Sequence, residues 1–226
     1  MTSGNVDLRL SFQEERAAEL ERRVTALLAP FRGDERALDV GCGAGALAFA
    51  FAPHVAEVIG VDESADLLAA GRELAPANVT LVEGDATALP FSYGKFALAG
   101  TLRVLHHVRR PELVVAELAR VLRRDGRILI VDQLGDVDPL RSLELDRFER
   151  ARDPSHTRLL SDADIRGLLD ANGLVVAHNE VTPEERDLER YLDLVGLEGD
   201  ERRRVANLAP GGTYQVEIGW YVAQKP

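Results

Sequence analysis

The sequence predicts an α/β fold built on a parallel sheet covered on both faces, and three observations lead there. Strand and helix patterns alternate five times across residues 15–132. The strands read as short continuous apolar runs, the signature of strands buried on both faces. The first of them runs directly into a glycine-rich turn, the point where such sheets meet their ligands. With 226 residues, 46% of them hydrophobic, the chain has enough apolar material for a sizeable core.

The elements follow in order. Residues 13–29 predict a helix, because Ala17, Leu20, Val24, Leu27 and Leu28 share one face with Glu and Arg opposite. Residues 36–40 are the first strand and 46–53 a small apolar helix. A second strand covers 58–61, and Ser64 caps a helix carrying Leu67 and Leu68. Strands at 79–82 and 96–100 follow. Pro111 opens a helix that Gly126 is expected to end, and 127–131 is the fifth strand. Beyond Asp132 the pattern changes. Residues 139–160 are charged and helical in pattern, with no strand. Ser161 and Asp164 form a capping-box start to a helix that Gly173 stops. Two final strands are expected at 174–177 and 216–222, separated by a polar helical stretch at 183–208. No clean domain boundary is visible, so the chain reads as a single domain, 1–226, with a decorated C-terminal third.

Composition excludes several classes. Lys plus Arg number 27 and Asp plus Glu 38, a formal charge of −11, which disfavours a phosphate-backbone partner. The single cysteine, Cys42, excludes an internal disulfide framework and a cysteine-cage zinc site. No apolar run approaches a membrane span, and Met1 to Ser11 is polar with no signal-peptide apolar region. The expectation is a soluble, acidic, cytoplasmic protein with no nucleic acid and no membrane partner; the oligomeric state is not readable.

The segment Ala37-Leu-Asp-Val-Gly-Cys-Gly-Ala-Gly45 carries the functional argument. Glycine permits a sharp turn and close ligand approach, and the helix behind it offers free N–H groups for a carboxylate or phosphate. Gly41, Gly43 and Ala46 also fit the dinucleotide fingerprint, with Asp62 about 20 residues on. Asp39 shifts the balance. A dinucleotide strand carries an apolar residue there, whereas a carboxylate takes hydrogen bonds from the turn or faces a cationic ligand.

Asp-Val-Gly-Cys-Gly-Ala-Gly resembles motif I of class I S-adenosylmethionine-dependent methyltransferases, and further motifs follow in that family's order. Val58-Ile-Gly-Val-Asp62 is similar to the second strand and its acidic end. Val82-Glu-Gly-Asp-Ala86 is similar to the third-strand motif. Leu105-His-His-Val108 with Glu117 and Arg120-Val-Leu122 resembles the small-molecule, type 11 branch related to ubiquinone biosynthesis. The resemblance covers roughly 35–132 and departs from the family at Ala44, Ala97 and Asp125-Gly126. It implies a Rossmann-like, mostly parallel seven-stranded sheet with helices on both faces and a C-terminal antiparallel strand pair. It further implies a helical cap at 1–34, a cofactor core at 35–132 and a substrate-covering part at 133–226. The implied cofactor is S-adenosylmethionine. Its site would comprise Asp39, the loop Gly41, Cys42 and Gly43, Asp62 on the ribose hydroxyls, and Glu63. It would extend through Gly84, Asp85 on the adenine amino group and the Ala86 backbone on the ring edge to Thr101 and Leu102 along the methionine portion. Glu63 reads equally as a solvated charge, and Cys42 as a small residue packed beneath the cofactor.

Methyl transfer from a sulfonium mainly needs nucleophile, methyl and sulfur held in line, an effect with upper estimates of roughly 7–11 kcal/mol. A hydroxyl or amine acceptor also calls for a base, and histidine suits neutral pH. His106 and His107 are adjacent and face the expected site, but successive residues diverge, so both do not serve one proton. Asp132, ending the fifth strand, orients a histidine, contacts substrate, or is a loop carboxylate. His156 is a candidate substrate contact, and Phe12 and Arg16 belong either to a lid or to a packed helix. An oxygen acceptor is the reading adopted, with nitrogen and carbon open. The competing readings are an NAD-dependent oxidoreductase, a non-catalytic S-adenosylmethionine-binding module and an RNA methyltransferase.

Overall fold

The structure, a computed structural model, describes residues 3–226; Met1 and Thr2 lie outside the described residues. Helix α1 (Ser3–Leu28) leads into β1 (Arg36–Val40), α2 (Ala46–Phe51), β2 (Glu57–Asp62), α3 (Ala65–Leu74), β3 (Val79–Glu83) and β4 (Phe96–Leu102). A short 3-10 turn (Leu105–His107) follows, then α4 (Pro111–Val121), β5 (Leu122–Leu134), α5 (Pro139–Arg152) and α6 (Asp162–Ala171). The chain closes with β6 (Val175–Asp187), α7 (Leu188–Asp193), α8 (Gly199–Ala206) and β7 (Thr213–Gln224). The strands form one seven-stranded sheet in the order β3-β2-β1-β4-β5-β7-β6. β1 to β5 are parallel, and β7 enters antiparallel between β5 and β6. The sequence expectation of a mostly parallel sheet with a C-terminal antiparallel pair matches this arrangement.

Two apolar layers sandwich the sheet. On one face Val24 and Leu28 of α1, Leu47 and Phe51 of α2 and Phe148 of α5 pack with Tyr214, Ile218 and Trp220 of β7. On the other, Val114 and Leu118 of α4 and Ile165 and Leu169 of α6 pack with Leu38, Ile130 and Tyr221. The strand order reverses between β1 and β4, and at such a switch point a crevice opens beyond the carboxyl ends of the strands.

Several local expectations need correction. The first helix begins ten residues before residue 13, at Ser3. α4 stops at Val121 rather than at Gly126, which lies within β5. Its last carbonyls are met from outside, because Lys225 Nζ donates to Ala119 O and Leu122 O, both at 2.7 Å, so no glycine cap is needed. Residues 183–187 extend β6 instead of beginning a helix. Pro183 is tolerated there because β6 is an edge strand. Helix α5 ends at Arg152, and the following segment makes a parallel bridge between Leu160 and Leu134, where no strand pairing was expected. The caps read from sequence hold: Ser64 Oγ accepts from Leu67 N, and Ser161 with Asp164 forms a reciprocal capping box.

Helix α3 packs against the turn after β1 so closely that a Cβ on Gly71 would lie 2.6 Å from the Ala44 carbonyl oxygen. Helix propensity alone favours Gly71→Ala by about 1 kcal/mol. The backbone clash reverses the sign, and the variant should lose about 1–3 kcal/mol. A lower urea midpoint at unchanged m-value checks this; a raised midpoint contradicts the close approach.

Candidate active site

The turn after β1 is stitched to the end of β2. Gly41 N and Cys42 N both donate to Val61 O, at 2.7 and 3.0 Å. Gly43 N donates to Asp62 Oδ2 at 2.7 Å, and Gly45 N to Cys42 O at 2.8 Å. The turn requires positive φ at Gly41 (71°), Gly43 (54°) and Gly45 (95°). A Cβ on Gly41 would also strike Val104 at 2.4 Å, whereas at Gly43 only Leu67 Cδ1, at 3.8 Å, comes near. Gly43 therefore keeps an open surface that any side chain would fill.

Asp39 stands under this turn, 1% exposed. Its Oδ2 accepts from Ala48 N at 2.9 Å, tying the carboxylate to the first turn of α2. Its Oδ1 is buried and has no partner. Burial pushes the carboxyl up to about 8; the Ala48 hydrogen bond opposes that and the nearby Asp62 charge adds to it.

Asp62 accepts one backbone N–H on each oxygen, from Gly43 and from Ser64 (2.8 Å). An ionised carboxylate has about four acceptor positions, so each oxygen retains capacity for a further donor. Gly84 N donates to Asp62 O at 3.0 Å, which sets the third-strand turn beside the second. Asp85 is exposed, and its Oδ1 accepts from both Thr87 N and Thr87 Oγ1 at 2.7 Å. Those bonds hold its carboxyl below the usual range. Ala86 packs at the edge of the apolar layer, and Glu63 is exposed. Cys42 is 6% exposed, and burial drives its thiol far up, fitting a packing role and not a nucleophile. Thr101 is fully buried with its Oγ1 unpartnered, and Leu102 is half-buried at the end of β4.

Three histidines gather at the carboxyl ends of β4 and β5. The His106 ring lies 4.1 Å from that of His107 and 5.4 Å from that of His156. His106 Nδ1 bonds Asp132 Oδ1. Asp132 also accepts Leu105 N at 2.7 Å and Gln133 N at 2.8 Å. Burial raises the Asp132 carboxyl, but His106 and these N–H groups outweigh it and hold it below the usual range. Asp132 is thus ionised and can only accept, so the Nδ1–H of His106 is the donor in this pair. His107 Nδ1 lies 2.9 Å from Ser155 Oγ, whose own proton goes to Asp153 Oδ1 at 2.6 Å. Burial, with the charge of His106 adding, pushes His107 down to about 4. His156 Nε2 bonds Asp146 Oδ1 at 3.0 Å. The structure brings His106, His107 and Asp132 together, and geometry separates the two histidines by their partners.

Sequence reasoning missed the polar partners of this region. Asp146, Asp153 and Ser155 sit on α5 and the charged segment after it, whose approach to the sheet no local pattern reveals. It also missed Arg103, whose φ is 58°, an uncommon conformation for a residue with a Cβ. Its guanidinium bonds Glu184 of β6, 81 residues away. Helix α1 covers the crevice: Gln13 Nε2 donates to Ala44 O at 3.5 Å and Arg16 to Glu184 at 2.9 Å, while Phe12 lies under the guanidiniums of Arg16 and Arg190.

The strand order, the antiparallel last strand and the glycine turn after β1 define the class as a Rossmann-like methyltransferase fold. Residues 38–130 match the methyltransferase-domain family. The chain is 37% identical over 147 residues to the uncharacterized methyltransferase YcgJ of Bacillus subtilis, covering 63% of this chain and 58% of that protein. It is 36% identical over 147 residues to a phosphatidylethanolamine N-methyltransferase of Cereibacter sphaeroides, covering 61% of this chain and 71% of that protein. The crystal structure of Bacillus subtilis YcgJ aligns with a TM-score of 0.81 at 26% identity, covering 92% of this chain and 98% of that one. The chain spans only 58%, 54% and 64% of the length of three of its curated relatives. It belongs to the S-adenosylmethionine-dependent methyltransferase family, and S-adenosylmethionine is the cofactor of that family. Two features of the site fit that group: the unpartnered, buried Oδ1 of Asp39 and the open cradle at Gly43. No described helix is long and apolar enough to cross a membrane.

Proposed function

We propose that this chain transfers a methyl group from S-adenosylmethionine to an oxygen nucleophile on a small-molecule acceptor, with His106 as the base. The observation that carries the reading is the His106–Asp132 pair beside the switch point that also holds the glycine turn. When bound, the cofactor supplies an activated, electrophilic methyl group. The chain's own residues do the rest. Asp62 and Asp85 offer free acceptor positions to a ribose diol and an adenine amino group, with Gly41, Cys42, Gly43, Gly84 and Ala86 as the surrounding surface. Thr101 and Leu102 border the methionine end, and Glu63 stands at the rim.

His106 Nε2 takes the acceptor's proton, and Asp132 stabilises the imidazolium that results. His107, neutral to about pH 4, is too weak a base for this near neutrality and shapes the pocket instead. A small-molecule acceptor is supported by relatives whose names give demethylmenaquinone and phosphatidylethanolamine as substrates. Residues from 133 onward supply α5 and β6, which stand over the crevice and shape its acceptor side. With family membership established, nothing favours the dinucleotide alternative.

Thermal-shift and calorimetric titration with S-adenosylhomocysteine against NAD tests the reading. Stabilisation by S-adenosylhomocysteine alone is expected. Asp62→Ala should weaken that binding roughly 10–100-fold, the loss of one or two hydrogen bonds to a charged acceptor, while circular dichroism stays unchanged. Unchanged affinity removes the ribose role, and stabilisation by NAD alone removes the whole reading.

A further inference from the structure

We infer that Arg103 is a specificity residue for the acceptor, and that the acceptor carries an anionic oxygen group, a carboxylate or a phosphate. The inference rests on the methyl-transfer reading and deepens it. Arg103 follows the last residue of β4 and precedes His106 by three positions, so the cation and the proposed base rise from one turn. Its backbone N is anchored to Val131 O at 2.7 Å, at the end of β5. The side chain bonds Glu184 on β6. It remains 29% exposed, so a ligand can reach it.

The charges around it do not balance. Glu184 meets three guanidiniums, those of Arg16, Arg103 and Arg186. Arg186 continues to Glu149, which also holds Arg152. Four guanidiniums thus share two carboxylates, a local excess of positive charge in a chain of net charge −11. Arg186 and Glu149 are 2% and 1% exposed, so solvent does little to compensate. One carboxylate closes one guanidinium; three converging on Glu184 leave N–H donors of Arg103 unspent. Tyr191 donates to Glu184 at 3.2 Å, and beside its ring, at 6.4 Å, Tyr214 keeps a buried hydroxyl with no partner. The planar fork of Arg103 matches a carboxylate or phosphate, and its positive φ is a strain of the kind found at functional positions. An incoming anion takes the place of Glu184 on Arg103.

The test uses the full chain loaded with S-adenosylhomocysteine and three probes of matched shape: 4-hydroxybenzoate, 4-hydroxyphenyl phosphate and neutral 4-hydroxybenzamide. Thermal-shift titration reads the half-saturating concentration of each. One anion should act at least about tenfold below the amide, and which anion it is assigns carboxylate or phosphate. In Arg103→Gln that preference should collapse to about twofold or less, with partial recovery in Arg103→Lys and the S-adenosylhomocysteine response retained. Should Arg103→Gln fail to fold, Glu184→Gln reads the same point, because removing the competing carboxylate should tighten the anion severalfold. No preference in the wild type, a preference that survives Arg103→Gln, or weaker anion binding in Glu184→Gln overturns the inference. Loss of the S-adenosylhomocysteine response is a separate result that overturns the methyl-transfer reading. The anion titration is then run on the protein alone, with the same preference expected.

Discussion

Asp132→Asn should lower kcat by about 10²–10⁴-fold, the range that a positioned acid or base contributes. The side chain is nearly isosteric, but an amide N–H would face a histidine that now donates from Nδ1 and backbone groups that also donate. His106 must then turn its ring or its tautomer, and Nε2 loses the lone pair that the proton transfer needs. Because Asp132 is not among the residues proposed to hold the cofactor, S-adenosylhomocysteine affinity should stay within about twofold. A merely structural role predicts the reverse pattern: a lower melting temperature and weaker binding with kcat preserved. His106→Ala adds a sharper discriminant. Without the base, only an acceptor that has ionised on its own can react, so log kcat should climb with pH until the acceptor's own pKa is passed. The wild type should reach its plateau earlier. Parallel profiles for the two proteins would remove His106 from the proton path, and His156 or water would have to take its place.

What could be read from sequence was the part whose determinants lie close together in the chain. The turn from Val40 to Ala46 needs three left-handed residues, and only glycine meets that cheaply, so the motif and the geometry are one fact. Ser64 and Ser161 cap helices through atoms three residues away, and both were visible for that reason. The boundaries that failed were set at long range. α4 ends where Lys225, from the last residues of the chain, reaches its carbonyls. β6 runs on through Pro183 because β7 pairs with it on one side only. The candidate site divides the same way. Asp39 near the end of β1, Asp62 at the end of β2 and Asp85 just past β3 could be placed by counting. The partners of Arg103, His107 and His156 come from β6 and from the region around α5, where charge without periodicity carries no register. His106 and Asp132 lie between these cases. Asp132 stands near the end of β5 and His106 in the turn just past its parallel neighbour β4, so the sheet itself brings them together once the strands are recognised.

Asp39→Asn should stabilise the cofactor-free protein while weakening its grip on S-adenosylmethionine. The carboxyl is raised from 3.8 to about 8, so the folded chain holds a proton there that the unfolded chain releases. The stability tied to that proton is fully present below pH 3.8 and is lost as pH rises toward 8. By pH 7 the loss is on the order of 4 kcal/mol at most, at 1.36 kcal/mol per unit. Asparagine keeps an oxygen for Ala48 N but cannot ionise, so the variant's advantage should be absent at pH 4, grow through pH 5–7 and level off above pH 8. Urea denaturation across that range reads it directly, and a constant difference would mean that Asp39 is charged throughout. The same carboxylate explains why so costly a group occupies the floor of the turn. A cationic ligand, such as one bearing an ammonium or sulfonium, makes the ionised form favourable again, so binding at pH 6–7 should release a proton from the wild type. Calorimetry in phosphate and in Tris would then give different observed enthalpies for the wild type and equal ones for Asp39→Asn. Equal enthalpies for both proteins would detach Asp39 from the cofactor and leave it as a helix anchor alone.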